Sequence, residues 1–267
     1  MTAAGDRAQP PPAAGQDAAV PDADVAAYAL RLGDDALVLA QRLGEWIAAA
    51  PELEEDVALA NIGLDLLGQA RALLTYAGAA DGSSEDDLAY LRPADRFTNV
   101  QLVELPDDGD FAHCMARLLV FSCYQRELYA RLLDSADPTL SAVAGRAVKE
   151  VTYHRDHATA WVVRLGDGTT ESHARMQAGL DAVWPYVDEL FGGDDLVRRL
   201  AGVAVDPEVL REPALAQVRE VVQQATLALP RLAPAPGSGR RGEHTAALVP
   251  LLAEMQGLHR ALPGVTW

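Results

Sequence analysis

The chain has 267 residues, of which 49% are apolar, 23% charged and 6% aromatic. This length lets one large domain or two smaller ones bury a core without disulfide bonds. The 22 basic and 39 acidic residues give a net charge of −17. That charge argues against nucleic acid as a partner, because the sequence contains no cluster of Lys and Arg that could contact phosphates.

The sequence also argues against a membrane protein. Its N-terminus has no basic segment followed by an apolar one, and no uncharged apolar stretch reaches the roughly 18 residues that a membrane span requires. The two cysteines, Cys114 and Cys123, fall in one predicted helix about 13 Å apart along its axis, which is too far for a disulfide bond. We therefore expect a cytoplasmic protein with reduced thiols that contacts no membrane.

Composition and periodicity predict the elements in chain order. Residues 1–22 contain almost no large apolar side chains and predict a disordered leader, whereas residues 23–267 predict a single helical domain. Helices are predicted over residues 34–50, 53–77, 111–133, 138–165, 171–191 with a bend at Pro185, 213–229 and 245–262. A long polar connection is predicted over 81–110 and a mobile loop over 230–242. The fold class is all-α, with four long helices in a bundle and shorter C-terminal helices packed outside it.

The second predicted helix has only one charged residue, Asp65, between positions 57 and 70. A helix that is apolar nearly all round is expected to be buried centrally. Asn61, Asp65 and Gln69 recur every four residues and form one stripe, which should point into a bundle interior or an interface. The stripe is either a working or relic metal pocket, or a buried hydrogen-bonded network that sets the helix register, and we favour the network.

The fourth predicted helix carries Glu150, His154 and His157 on one face. Glu and His four residues apart can share a metal, because both side chains leave the same side of the helix. A second and equally apolar stripe on this helix consists of Ala144, Val148, Val151, Ala158, Val162 and Leu165. If that stripe faces the core, Glu150 and His154 are solvated or lie at an interface between subunits, and periodicity leaves both arrangements open.

Two further carboxylates lie on the other long helices. Glu45 on the first helix could be a third carboxylate of a site, although Arg42 three residues earlier offers an ordinary ion pair. Glu127 is the only carboxylate on the third helix, and it points well over 90° from the centre of either apolar stripe of that helix. We therefore expect Glu127 on the outside.

The ligand set of a di-iron bundle is incomplete in this sequence. Such a site takes a Glu from each of two helices and a Glu-x-x-His from each of the other two. No Glu-x-x-His occurs on the predicted bundle helices: the corresponding run on helix two is Leu66-Leu67-Gly68-Gln69, and helix four has Glu-x-x-Tyr-His, one residue too long. Signatures of other catalytic sites, including Gly-x-Ser-x-Gly, Walker loops and Cys-x-x-Cys, are also missing from the sequence.

Several long runs resemble a known family. They are Leu32-Gly-Asp-Asp-Ala-Leu, Gln41-Arg-Leu-Gly-Glu-Trp, Ala50-Pro-Glu-Leu-Glu-Glu-Asp, Ala58-Leu-Ala-Asn-Ile-Gly-Leu-Asp-Leu-Leu-Gly-Gln-Ala-Arg, Trp161 through Arg164-Leu-Gly-Asp-Gly-Thr169, Ala204-Val-Asp-Pro207, Leu252-Ala-Glu-Met-Gln256 and Leu262-Pro-Gly-Val-Thr-Trp267. Together they resemble the non-catalytic C-type subunit of the phenylacetyl-CoA 1,2-epoxidase complex. The resemblance covers about residues 28–267.

This resemblance implies a ferritin-like fold that binds no iron and has no catalytic residue of its own. It also implies a catalytic di-iron partner of related fold, together with small accessory and reductase subunits. Such a complex uses iron, NADPH and O2 through its other subunits to epoxidise the ring of phenylacetyl-CoA in phenylacetate breakdown. The degenerate di-iron pocket would then keep polar fillers in place of ligands, namely Glu45, Asn61, Asp65, Gln69, Glu150 and His154.

Two other functions are weighed against this one. The first is an active di-metal oxidase that uses Glu45, Asp65, Glu150 and His154 as ligands. The second is a free-standing helical binding module with no part in oxygenation. Metal content distinguishes the oxidase from the structural subunit, and co-purification with a second ferritin-like chain distinguishes the structural subunit from the binding module.

Overall fold

The computed structural model describes residues 20–265, so the predicted leader lies almost wholly outside the described residues. The α-helices in this range are α1 (Ala23–Gly44), α2 (Leu53–Gly78), α3 (Phe111–Leu132), α4 (Pro138–Gly166), α5 (Thr170–Val183), α6 (Asp195–Arg199), α7 (Glu208–Gln224) and α8 (Leu248–Ala261). Between residues 20 and 265 the only β-type pairing is an isolated bridge from Ala201 to Ala204. The all-α prediction is confirmed.

The four long helices form the ferritin-like bundle. α1 packs along α2, α3 packs along α4, and α2 contacts α4. α5 and α7 cover a further face of α3, while α8 packs beside α1 and the connection between α2 and α3. The apolar residues of these elements form one continuous core.

The start of α1 differs from the prediction by eleven residues. Asp22 accepts a hydrogen bond from the backbone N–H of Val25 at 2.9 Å and caps the helix. The helix therefore begins at Ala23, in a stretch of the sequence that is rich in alanine. Its end is also earlier than predicted, at Gly44, because Ala48 adopts a left-handed conformation with φ of 65° and turns the chain toward α2.

The connection between α2 and α3 is not the polar loop that composition predicts. Phe97, Val100, Leu102 and Val103 are fully buried in it. Short π and 3₁₀ turns carry the chain through this segment and satisfy part of its backbone hydrogen bonding. The segment is therefore an integral part of the core, although its local sequence shows no helical or strand periodicity.

Two consecutive buried aspartates on α1 hold this connection. Asp34 pairs with Arg92. Asp35 accepts a hydrogen bond from the backbone N–H of Val100 at 2.8 Å and pairs with Arg240 at 2.6 Å. Arg240 comes from the loop that the sequence predicts to be mobile, so that loop is anchored in the core by a buried ion pair.

The C-terminal third departs from prediction in several details. The fifth helix ends at Val183, and the chain continues through 3₁₀ turns around Pro185, so the expected bend is a break. α6 has no counterpart in the predicted elements. α7 begins at Glu208, earlier than expected, and includes Pro213 in its interior.

The expectation that α2 is buried centrally is wrong. One face packs against α1 and α4, but Leu53, Val57 and Leu64 are exposed, with Leu64 retaining 64% of its accessible surface. Within residues 20–265, α2 is also the single helix with the length and hydropathy of a membrane span. The apolar residues on one face of α2 therefore pack in the bundle core. Those on the other face are not covered by the described part of the chain.

Candidate functional site

Most of the predicted polar residues meet in a cleft of about 100 Å³ between α2 and α4. Gln69 Nε2 donates a hydrogen bond to Glu150 Oε2 at 2.9 Å. One turn away, His154 Nε2 lies 3.1 Å from Asp65 Oδ2. The two helices run antiparallel, so residues that lie four apart on α2 face residues that lie four apart on α4. The two pairs, which we call rungs, are therefore successive hydrogen-bonded contacts between the helices.

The cleft is open to solvent on one side. Gln69 in the cleft and His154 behind Asp65 are buried, Glu150 is half-buried, and Asp65 keeps 38% of its side-chain surface exposed. Asn61, the first member of the predicted stripe, is exposed and forms no side-chain hydrogen bond within residues 20–265. The stripe therefore lies along the edge where α2 meets α4. The exposure of its members decreases from Asn61 through Asp65 to Gln69.

Both stripes of α4 contribute to packing. Ala144, Val151, Ala158 and Val162 from the second stripe are fully buried, and so is His154 from the first. α4 contacts α2 and α3 within the bundle, and α5 and α7 also pack against it. A helix with neighbours on several sides buries a wide face, which is why periodicity alone left the two arrangements unresolved.

Burial lowers the pKa of His154, and the hydrogen bond to Asp65 opposes this effect only in part. A neutral imidazole follows, with Nε2–H donating to Asp65 and with Nδ1 left as an acceptor. His154 Nδ1 finds no hydrogen-bond partner within residues 20–265. Burial also lowers the pKa of His157, whose Nε2 lies 3.1 Å from Glu55 Oε2.

The remaining carboxylates lie elsewhere. Glu45 is at the end of α1, where it pairs with Arg42 at 2.7 Å and burial raises its pKa. The expectation that Glu127 is outside is wrong: it is buried, accepts a hydrogen bond from Gln217 of α7 at 2.9 Å and pairs with Arg131 at 2.6 Å. α7 covers this face of α3, and no single-helix pattern could show that.

The donor set does not fit a di-iron centre. The carboxylates and imidazoles of the cleft come from α2 and α4 alone, whereas a di-iron bundle draws ligands from four helices. The Nε2 atom of His154 is already engaged by Asp65, and Glu45 is held by Arg42. In residues 20–265, no three His, Cys, Asp or Glu side chains lie close enough together to share a metal. The cleft is therefore suited to holding α2 on α4 by hydrogen bonds.

A second surface feature is a groove of about 310 Å³ between α1 and α2, which we call the α1–α2 groove. Its floor contains the small residues Ala40, Gly44 and Gly63, and its walls include Leu64 and Leu67. Of the residues that line the groove, Ile47, Leu64 and Leu67 have exposed side chains, and Leu53 and Val57 are further exposed apolar residues of α2. Contiguous apolar surface of this kind marks an interaction site. Its signal in the sequence is the shortage of polar residues on α2.

Comparison with known proteins adds two findings. Residues 11–267 match the family described as phenylacetic acid catabolic protein. The chain is also 46% identical over 244 residues to the C-type subunit of the 1,2-phenylacetyl-CoA epoxidase of Escherichia coli (strain K12), covering 90% of this chain and 98% of that protein.

Proposed function

Because the chain belongs to the phenylacetic acid catabolic protein family, we propose that it is a structural, non-catalytic subunit of a multicomponent oxygenase. The complex epoxidises the aromatic ring of phenylacetyl-CoA in the cytoplasm during aerobic phenylacetate breakdown. The similarity to a protein named as part of an epoxidase supports this assignment. Iron, NADPH and O2 belong to a catalytic di-iron subunit of related fold and to its reductase and small accessory subunits.

The arrangement of polar groups between α2 and α4 supports a non-catalytic role. Each of the two rungs joins one side chain of α2 to one of α4, at 2.9 Å for Gln69 and Glu150 and at 3.1 Å for Asp65 and His154. These contacts engage His154 Nε2 and one carboxylate oxygen each of Asp65 and Glu150 in bonds between the two helices. Their contribution is to fix the register of the two helices and thereby the shape of the surface formed by α2.

The observation that carries the assembly role is the α1–α2 groove. Its exposed apolar side chains are not covered by the described part of the chain, and a helix of a partner subunit would fill the space between its walls. Obligate interfaces of this type bury on the order of 2,000 Å² or more and are more apolar than ordinary protein surface. The α1–α2 groove would supply the apolar central region of such an interface.

The test is a pair of matched substitutions in the reconstituted complex. Leu64→Glu places a charge on the wall of the groove, and Val209→Glu makes the same change at an exposed position of α7. We expect Leu64→Glu to release the chain from the catalytic subunit in size-exclusion chromatography and to abolish epoxidation, while Val209→Glu leaves both intact. Equal behaviour of the two variants, with unchanged folding by circular dichroism, would contradict the assigned interface.

The rival function is a di-metal oxidase that uses Glu45, Asp65, Glu150 and His154. It predicts about two irons per chain after aerobic purification from iron-replete cells, in keeping with a di-iron site. The structural role predicts no stoichiometric iron, because too few carboxylates converge to neutralise two cations. Elemental analysis of the chain expressed alone, with the catalytic di-iron protein as a positive control, decides between them.

A further inference from the structure

A cavity of about 410 Å³ lies at one end of the bundle. The turn between α1 and α2, the start of α3 and the junction of α4 with α5 surround it. The cavity shares no lining residue with the α2–α4 cleft or the α1–α2 groove. Its size falls within the range of small-molecule sites. We call it the aromatic cavity, after Trp46, Phe111 and Trp161 in its wall.

The three rings are fixed against one another. Phe111 packs edge-on against Trp46 with ring centroids 5.7 Å apart, and against Trp161 with centroids 5.0 Å apart. Trp46 is further held by a hydrogen bond from its Nε1 to Asp107 Oδ2 at 2.9 Å. A wall of pre-positioned rings favours a planar aromatic ligand, because stacked and edge-on contacts form without reordering the side chains.

One cation in the cavity is available for a ligand. The guanidinium of Arg164 lies over the ring of Trp161, 4.9 Å from its centroid, and forms no ion pair with any carboxylate in residues 20–265. The other arginine, Arg175, is engaged by Asp110 at 2.9 Å. A ligand carboxylate could therefore pair with Arg164 in the planar geometry that guanidinium groups favour.

The rim of the cavity limits how much negative charge a ligand can carry. Glu52 and Glu171 are exposed carboxylates at the opening, and the whole chain has a net charge of −17. Nucleotides and other polyanions would be repelled at this surface, whereas one carboxylate can be balanced by one guanidinium. We propose that the aromatic cavity binds a small aromatic monocarboxylate, with its ring against Trp161 and Phe111 and its carboxylate on Arg164.

The experiment compares two probes of equal size on the purified full-length chain by isothermal titration calorimetry. Naphthalene-2-carboxylate carries the charge, and naphthalene-2-carboxamide lacks it. We expect the carboxylate to bind about tenfold more tightly, as a charge-assisted hydrogen bond predicts. Arg164→Gln should remove this preference and leave similar affinities for both probes, because the aromatic wall is unchanged.

The matched control is Arg219→Gln on α7. It removes the same charge from an exposed arginine that pairs with Glu212 at 2.5 Å, and none of its atoms lines the cavity. This variant should keep the tenfold preference. Absence of binding at millimolar concentration, equal affinity of the wild-type chain for the two probes, or equal loss of preference in both variants would each overturn the proposal.

Discussion

Individual buried charges determine how the irregular parts of this chain fold. Asp35 and Arg240 lie 205 residues apart in sequence, yet the carboxylate and guanidinium meet inside the core. Burial raises the pKa of Asp35 to about 6, with Arg240 opposing the shift. The ionised carboxylate is therefore held at neutral pH mainly because its partner is present, and the pair anchors the C-terminal loop on α1.

Arg240→Leu should destabilise the protein strongly. It leaves the Asp35 carboxylate buried and uncompensated, which costs about 3–5 kcal/mol in the free energy of unfolding. Arg241→Leu is the matched control, because Arg241 is the next residue and pairs with Glu243 in an exposed position. An exposed pair contributes about 0–1 kcal/mol. Urea unfolding at pH 7 measures both values, and a similar loss in the two variants would contradict the anchoring role.

The loss in the free energy of unfolding caused by Arg240→Leu should also depend on pH. Without the guanidinium, the folded-state pKa of Asp35 lies still further above its unfolded value of about 3.9, so the folded state binds the proton more readily. The contribution of such a group is present at low pH and is lost as pH rises through the folded-state pKa. The difference from the wild type should therefore shrink between pH 8 and pH 5. A pH-independent difference would show that lost packing, and not charge, explains the effect.

At the scale of elements, one aspartate joins two helix ends. Asp137 accepts hydrogen bonds from the backbone N–H groups of Thr139 and Leu140 and so caps α4. It also accepts a hydrogen bond from the hydroxyl of Tyr76 near the end of α2, at 2.7 Å. Burial, together with Asp137, raises the pKa of Tyr76 to about 12. The same carboxylate thus starts one bundle helix and positions another.

A double-mutant cycle separates these two roles. Asp137→Ala removes the cap and the contact with Tyr76, and we expect a loss of about 2 kcal/mol. Tyr76→Phe removes the contact alone and should cost about 1 kcal/mol. In the Tyr76→Phe background, Asp137→Ala should then cost only the cap, about 1 kcal/mol, which leaves a coupling energy of similar size. Additive losses in chemical denaturation would show that the two helix ends are independent.

The sequence predicted the helix boundaries closely where residues next to the boundary mark it. Pro138 after Asp137 marks the start of α4, and the ends of α2, α3 and α4 lie within one residue of those predicted. The predictions were wrong where contacts between distant elements determine whether a residue is buried. Glu127 is buried because α7 covers it, and the polar-looking connection is buried because Asp34 and Asp35 hold it. Contacts of this kind join distant parts of the chain and leave no periodicity.

The candidate site was predictable in part for the same reason. The i, i+4 spacing predicted one polar stripe on α2 and left the inner face of α4 open, and in the structure Asp65 and Gln69 meet His154 and Glu150. Their depth below the surface was not predictable, because it depends on how closely two helices approach. The aromatic cavity could not be found from spacing, since its walls come from four separate elements that meet only in the fold.

At the scale of the whole molecule, two surface properties act against each other. The exposed apolar side chains of α2 favour association, whereas the net charge of −17 makes copies of this chain repel one another. In the complex that we propose, a catalytic subunit that opens one side for a bulky thioester would need support on another face, which a bundle of similar shape can supply. The proposed assembly role and self-association of the isolated chain would then both involve this surface.

We therefore expect the isolated chain to self-associate, and more strongly as salt screens its negative charge. The catalytic subunit should raise its melting temperature, because it binds the folded state only. At a concentration 100 times the dissociation constant, binding adds about 2.7 kcal/mol, which corresponds to a shift of roughly 5–10 °C for a chain of this size.

Thermal unfolding with and without equimolar partner, combined with analytical ultracentrifugation at low and high salt, measures both effects. Leu64→Glu is the matched variant: if the α1–α2 groove is responsible, it should be monomeric at both salt concentrations and should melt at the same temperature with or without the partner. A wild-type chain that stays monomeric in high salt and whose melting curve ignores the catalytic partner would reject the structural role, because a protein that supports a complex must gain stability from it.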